Sequence, residues 1–224
     1  MDPVSLPRIE PYPLPAPSDR PAGRVGWRPD PARAALLVHD MQRYFLAPYA
    51  GAPVPEVTAN IAALLTSCRD AGVPVFYTAQ PGHQDPADRG LLTEFWGEGI
   101  GAVIDDDPRA ADIVDDLAPL PSETVLTKWR YSAFQRSTFG EQLAEAGRDQ
   151  LLVTGIYAHI GCQATAVEAF MRDVAPFLVA DAVADFSRGH HDRACEYVAQ
   201  RCGVVTATAE VLEAFAPSPA GVGR

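Results

Sequence analysis

A three-layer α/β fold, with a six-stranded parallel sheet wound in two directions and helices on both faces, follows from three features of the sequence. Six apolar runs are each too short for a helix and mostly do not alternate with polar residues, the pattern of strands buried on both faces. Helical periods separate them. Strand and helix then alternate to the end of the chain, which in a single sheet means parallel strands joined by crossovers.

Taken in order, residues 1–31 stand apart. Nine of the 21 prolines fall there, and Pro11, Pro13, Pro15 and Pro17 alternate, removing the N–H donors a helix or central strand needs. An extended arm is predicted, with Tyr12, Leu14 and Trp27 packing it on the domain or on a second subunit; a loose leader is the alternative. The domain proper spans 32–216, and 217–224 reads as a short flexible tail. Strands are predicted at 34–38, 73–78, 124–126, 151–154, 177–180 and 204–206. Helices are predicted at 55–69, 138–146, 162–172 and 191–200, with Thr138 and Glu141 at capping-box spacing. Gly72, Gly147 and Gly203 follow three of these helices and fit the residue just past a helix end.

The whole chain has 224 residues, 47% of them hydrophobic, as expected of one globular domain. No uncharged apolar run is long enough to span a bilayer, and the N-terminus lacks the basic and apolar segments of a signal peptide. Lys and Arg number 18 against 29 Asp and Glu, a net charge of -11 that opposes binding to nucleic acid or anionic lipid. A small anionic ligand therefore needs a local cationic pocket. The four cysteines, Cys68, Cys162, Cys195 and Cys202, show no C-x-x-C spacing and read as reduced thiols in a cytoplasmic protein. No P-loop, glycine-rich phosphate loop or zinc cluster occurs in the sequence.

In a doubly wound sheet, ligands bind beyond the carboxyl ends of the strands. That rule selects His39, Asp40 and Gln42 after the first strand, Gln80 after the second, and Lys128 and Arg130 after the third. Tyr157 and His159 follow the fourth strand and Asp181 the fifth. Each has a plainer reading: Asp40 as a turn cap, Gln80 before Pro81 and Gly82 as a turn start, Lys128 as a solvated charge, Tyr157 and His159 as packing residues. Their gathering at one rim favours a site. If the strand alternates, His39 points away from Asp40. His190 and His191 are adjacent, so they cannot share a helix face as metal ligands and read as a surface pair. Residues 105–107 and 115–116 are acidic runs that read as solvated charges. In the stretch 154–162, Gly161 offers close backbone approach without a nucleophile, while Cys162 reads as a small buried hydrophobe opening a helix.

The segments VHDMQRYF (38–45), YTAQPG (77–82), TKWRYSAF (127–134), TGIYAHIGC (154–162) and VADAVADFS (179–187) together resemble the isochorismatase branch of the cysteine-hydrolase-like superfamily. The resemblance covers nearly the whole chain. It implies Asp40 and Lys128 as catalytic residues, Gln80, Arg89, Tyr157 and Gly161 as substrate contacts, and Phe45 and Trp96 as pocket walls. RGLLTEFWGEG (89–99) and the HH and RC pairs are most similar to stand-alone members of phenazine-type metabolism. Those hydrolyse 2-amino-2-deoxyisochorismate to trans-2,3-dihydro-3-hydroxyanthranilate and pyruvate. Hydrolysis of isochorismate itself, for siderophore or related biosynthesis, is the alternative. A cysteine amidohydrolase using Cys162 is the least favoured reading, because amidohydrolase relatives carry their cysteine where this chain has Gly161, and Cys162, one helical position later, is turned by about 100°. The ether hydrolysis that the resemblance implies requires no metal or organic cofactor. The resemblance further implies a non-prolyl cis peptide near Ile156 and Tyr157 and a homodimer. The eleven residues after Glu213 leave no room for a fused carrier domain.

Overall fold

The computed structural model describes residues 6–217; residues 218–224 of the expected tail and the first five of the arm lie outside it. The strands are β1 (Ala34–His39), β2 (Val75–Ala79), β3 (Thr124–Thr127), β4 (Gln150–Ile156), β5 (Ala175–Ala184) and β6 (Val204–Thr206). They form one sheet in the order β3-β2-β1-β4-β5-β6, with every neighbouring pair parallel. From β1 the chain winds outward to β3, then returns to the other side of β1 at β4. The crevice beyond the carboxyl ends of β1 and β4 is therefore the point where the winding reverses, the place where such sheets take ligands.

In chain order the α-helices are α1 (Arg43–Leu46), α2 (Val54–Asp70), α3 (Pro86–Arg89), α4 (Leu92–Trp96), α5 (Phe139–Glu145), α6 (Gln163–Met171), α7 (Arg188–Arg201) and α8 (Thr208–Phe215). Alternate residues of β1 serve opposite faces, as the strand period requires. Leu36 and Val38 pack in the cluster that holds Val57, Ile61 and Leu64 of α2 and Val211 and Phe215 of α8. Ala35 and Leu37 join Phe139 and Leu143 of α5, Ala166 of α6 and Val198 of α7.

Several expectations are corrected. Thr138 sits at the N-cap of α5, but its hydroxyl accepts a hydrogen bond from Gln142 at 2.8 Å, so no capping box with Glu141 forms. Gly72 and Gly147 take left-handed φ values of 66° and 65° after α2 and α5. Gly203 is required for closeness instead: a Cβ there would lie 2.5 Å from the Pro176 carbonyl oxygen. Between β2 and β3, α3 and α4 and several 3₁₀ turns form a roof over the crevice. These single turns are broken by Gly90, Gly97 and Gly99, each at positive φ, and so carry no helical period to read.

The arm lies on its own domain. Ile9 is buried and bridges to Tyr49, and Arg20 pairs with Glu210 through two hydrogen bonds of 2.6 and 2.7 Å. His191 is not a surface residue. It is fully buried, donating from Nε2 to the Ala180 carbonyl at 2.9 Å, which leaves Nδ1 to face the Tyr12 hydroxyl at 3.3 Å. That hydroxyl also accepts the Asp185 N–H at 2.7 Å, so one α7 histidine anchors the arm to the core.

Candidate active site

Asp40 follows the last residue of β1, and its φ of 49° is left-handed, a conformation aspartate tolerates better than most side chains. Asp40 is 6% exposed, and its carboxylate is surrounded by donors. Lys128 Nζ donates to Oδ2 at 2.9 Å, and the Thr78 hydroxyl donates to Oδ1 at 2.5 Å. The Asp40 N–H in turn donates to Thr78 Oγ1 at 3.1 Å. Burial pushes the Asp40 carboxyl up. The influence of His39 and Lys128, with the hydrogen bonds from Thr78 and Lys128, outweighs burial and holds it below the usual carboxylate range.

His39 does not point away from Asp40. Its Nδ1 lies 3.5 Å from Asp40 Oδ2, because the left-handed turn interrupts strand alternation and brings the carboxylate back toward the imidazole. The buried ring donates from Nδ1 to the Ile156 carbonyl at 2.8 Å and presents Nε2 to the Tyr131 carbonyl at 3.3 Å. Burial pushes it down to about 4, so it is neutral at neutral pH. Its other neighbour is Gly161, where an added Cβ would lie 2.6 Å from Nε2 and nearer still to Cε1. Residue 161 is glycine because the imidazole occupies the space a side chain would need.

These residues open onto a cleft between the strand ends and the roof. The eight residues that the family resemblance implies all line it. Asp40, Gln80, Lys128, Tyr157 and Gly161 reach it from strand ends and the turn after β4, Phe45 from α1, and Arg89 and Trp96 from the roof. Arg130, Tyr44, Tyr131 and Phe186 complete much of the remaining wall. Three cations, Lys128, Arg89 and Arg130, thus face one cleft in a chain of net charge -11. An anionic ligand is favoured here against the overall field.

Individual roles differ from expectation. The Tyr157 hydroxyl donates to the Phe45 carbonyl at 2.7 Å, so its proton is not free for a ligand. Its ring meets Phe45 edge-on at 6.2 Å and Phe186 at 4.4 Å, making Tyr157 an aromatic wall. Arg89 is steadied by the Gly97 carbonyl on Nε and by Gln84 Oε1 at 2.9 Å on Nη1, with part of its donor fork left over. Trp96 Nε1 donates to the Tyr131 hydroxyl at 2.8 Å, joining α4 to the segment after β3. Gln42 is not in the cleft. Its amide accepts the Gln80 N–H at 2.8 Å and donates to the carbonyls of Gln80 and Ala111 at 2.8 and 2.7 Å, tying β2 and the roof to β1.

Other rim candidates have structural partners. Asp181 Oδ1 accepts from the Thr208 N–H and hydroxyl at the start of α8, and His159 Nδ1 pairs with buried Asp185 at 2.5 Å. Cys162 is buried, its Sγ 3.8 Å from the Thr154 carbonyl oxygen, and burial pushes its thiol well up. Among the described residues no cysteine or serine lines the cleft. Nor does any group of three or more His, Cys, Asp or Glu among them suit a metal ion, and no helix is long and apolar enough to cross a membrane. The Ile156–Tyr157 peptide is cis. Thr78 escaped the sequence reading, although it lies within the YTAQPG segment; in the β1–β2 register it stands opposite His39, one residue before Asp40.

An isochorismatase-domain family model matches residues 34–210. The chain is 51% identical over 221 residues to the isochorismatase of Bacillus subtilis (strain 168), covering 98% of this chain and 70% of that protein. To the phenazine biosynthesis protein PhzD of Pseudomonas fluorescens it is 50% identical over 209 residues, covering 93% of this chain and 99% of that one. Among solved structures, a cysteine hydrolase from Pseudomonas syringae pv. phaseolicola 1448A matches with a TM-score of 0.76 at 24% identity. That match covers 88% of this chain and 97% of the other, a likeness of fold.

Proposed function

The chain belongs to the isochorismatase family, and from that premise we propose that it hydrolyses the enolpyruvyl ether of an isochorismate-type substrate. In its finer form the reading is 2-amino-2-deoxyisochorismate, giving trans-2,3-dihydro-3-hydroxyanthranilate and pyruvate. The observation that carries it is the buried Asp40 carboxylate beside Lys128 in a cation-lined cleft that, among the described residues, no cysteine or serine lines. Such a site suits cleavage by proton transfer. Asp40 protonates the terminal methylene carbon of the vinyl ether, forming a methyl group and an oxocarbenium ion. Water adds to that ion and returns its proton to Asp40; the hemiketal then collapses to pyruvate and the ring alcohol.

Asp40 must hold a proton to begin, whereas its partners favour the carboxylate. An arriving dianionic substrate changes this balance by drawing the Lys128 ammonium toward its own carboxylate and by excluding water. Arg89, with its fork steadied by Gln84 and Gly97, supplies a second carboxylate contact. Gln80, its backbone clamped by Gln42, orients the ligand from the end of β2. Phe45, Trp96 and Tyr157 enclose the ring.

The amino substrate is supported by the resemblance of residues 89–99, which form part of the roof, and by the 50% identity to the phenazine protein. The hydroxyl substrate, isochorismate, is the second reading, favoured by the 51% identity to the Bacillus isochorismatase. Pyruvate release from each compound in a coupled assay separates them by kcat/KM. A preference for the amino compound is expected. Preference for isochorismate would select the second reading, and release from neither would remove both.

A further inference from the structure

The Thr78 hydroxyl is a polar neighbour of Asp40 to which the proposed chemistry assigns no task. Thr78 is wholly buried on β2. Its oxygen accepts the Asp40 N–H at 3.1 Å while its proton goes to Oδ1 at 2.5 Å. A hydroxyl has one proton to give, and these two contacts direct it to Oδ1. Were Oδ1 to bear the acid proton, two protons would compete for one line, and the displaced one would be buried without an acceptor. Oδ2 has no such conflict. Its neighbours are Lys128 Nζ at 2.9 Å and His39 Nδ1 at 3.5 Å, and the ammonium can turn its hydrogen bond to a substrate carboxylate.

We propose that Thr78 is a positioning residue for proton transfer, holding Oδ1 as a fixed acceptor so that the transferable proton resides on Oδ2. The proposal rests on Asp40 being the proton donor. As the proton leaves, negative charge returns to the carboxylate, and a hydroxyl already aimed at it binds more strongly at that moment. Thr78 therefore makes Asp40 a stronger acid. The same bond reduces the share of Asp40 that is protonated as pH rises.

These opposed effects give a signature in the pH dependence of kcat. The other titratable or charged groups facing Asp40 or its cleft are His39 on β1, Tyr44 on α1, Lys128 and Tyr131 after β3, Arg89 and Arg130 across the cleft, and Tyr157 and Cys162 after β4. Burial pushes His39 down to about 4 and raises Tyr157 and Cys162, so none of those three titrates near neutrality.

The experiment compares pyruvate release across pH for wild type, Thr78→Val and Thr78→Ser. A hydrogen bond donated to a carboxylate favours its charged form, so removing it raises the pKa of Asp40. For Thr78→Val the low-pH plateau of kcat is expected to fall about tenfold and the descending limb to move up by about one pH unit. The deficit then narrows as pH rises, and Thr78→Ser restores both features. If the valine variant does not fold, Thr78→Cys, with a weak donor of similar size, is read in the same way. A kcat lowered by one factor at every pH, or left unchanged while Asp40→Asn is inactive, would overturn the role of Thr78 alone. Absence of pyruvate release by wild type from either substrate would instead overturn the reading beneath it.

Discussion

Asp40→Asn is expected to lower kcat by about two to four orders of magnitude, with a much smaller change in KM. The amide has nearly the shape of the carboxyl group and can still meet Lys128 or Thr78 through its oxygen, so the cleft keeps its form. What it lacks is an acidic proton. Binding, which the proposed function assigns to Lys128, Arg89 and the aromatic walls, is expected to be largely spared. Steady-state pyruvate release, with folding checked by circular dichroism, measures the effect; turnover within a few-fold of wild type would remove Asp40 from the chemistry.

Gly161→Ala carries the second large effect, through packing. A Cβ at residue 161 must displace the His39 ring, whose two nitrogens face the Ile156 and Tyr131 carbonyls at 2.8 and 3.3 Å. Moving the ring disturbs the Ile156 carbonyl just before Tyr157 and the imidazole beside Asp40, so site geometry and stability fall together. Overpacking of this kind costs about 1–3 kcal/mol. We expect at least a tenfold loss in kcat/KM as well, since small displacements in a site are costly. Combining the change with His39→Ala should recover part of the lost stability, because the collision then has no second partner. Denaturant melts of the two single variants and the double variant test this; additive losses would show that the two residues do not share one space.

The same contact bears on the chemistry open to the fold. A nucleophile carried at residue 161 would need the room that His39 occupies, and Cys162 is buried with its sulfur toward Thr154 rather than the cleft. Neither position offers a thiol to the cleft, in keeping with the proton transfer proposed for Asp40.

Much of this site was legible because a parallel sheet collects the carboxyl ends of its strands at one rim, so Asp40, Gln80, Lys128 and Tyr157 converge once the apolar runs are read as strands. The strands themselves stood out because β1 and β4 are buried on both faces and carry the apolar runs AALLV and LLV. What stayed hidden depends on single backbone angles and on partners far along the chain. The left-handed φ of Asp40 reverses the direction inferred for His39, and no local pattern announces it. The Tyr157 hydroxyl is taken by a carbonyl 112 positions away, and His191 is drawn inward by Tyr12 of the arm. Thr78 went unread because a buried threonine in a strand is ordinarily a packing residue. Only the β1–β2 register shows that its hydroxyl falls beside Asp40.

The most direct test of carbon protonation followed by water attack is turnover in water enriched in oxygen-18, with mass analysis of the ring product. Attack on the oxocarbenium carbon leaves the ether oxygen on the ring, so the ring product is expected to contain no label. Oxygen-18 in the ring hydroxyl would mean that water attacks the ring carbon, and the chemistry assigned to Asp40 would be contradicted.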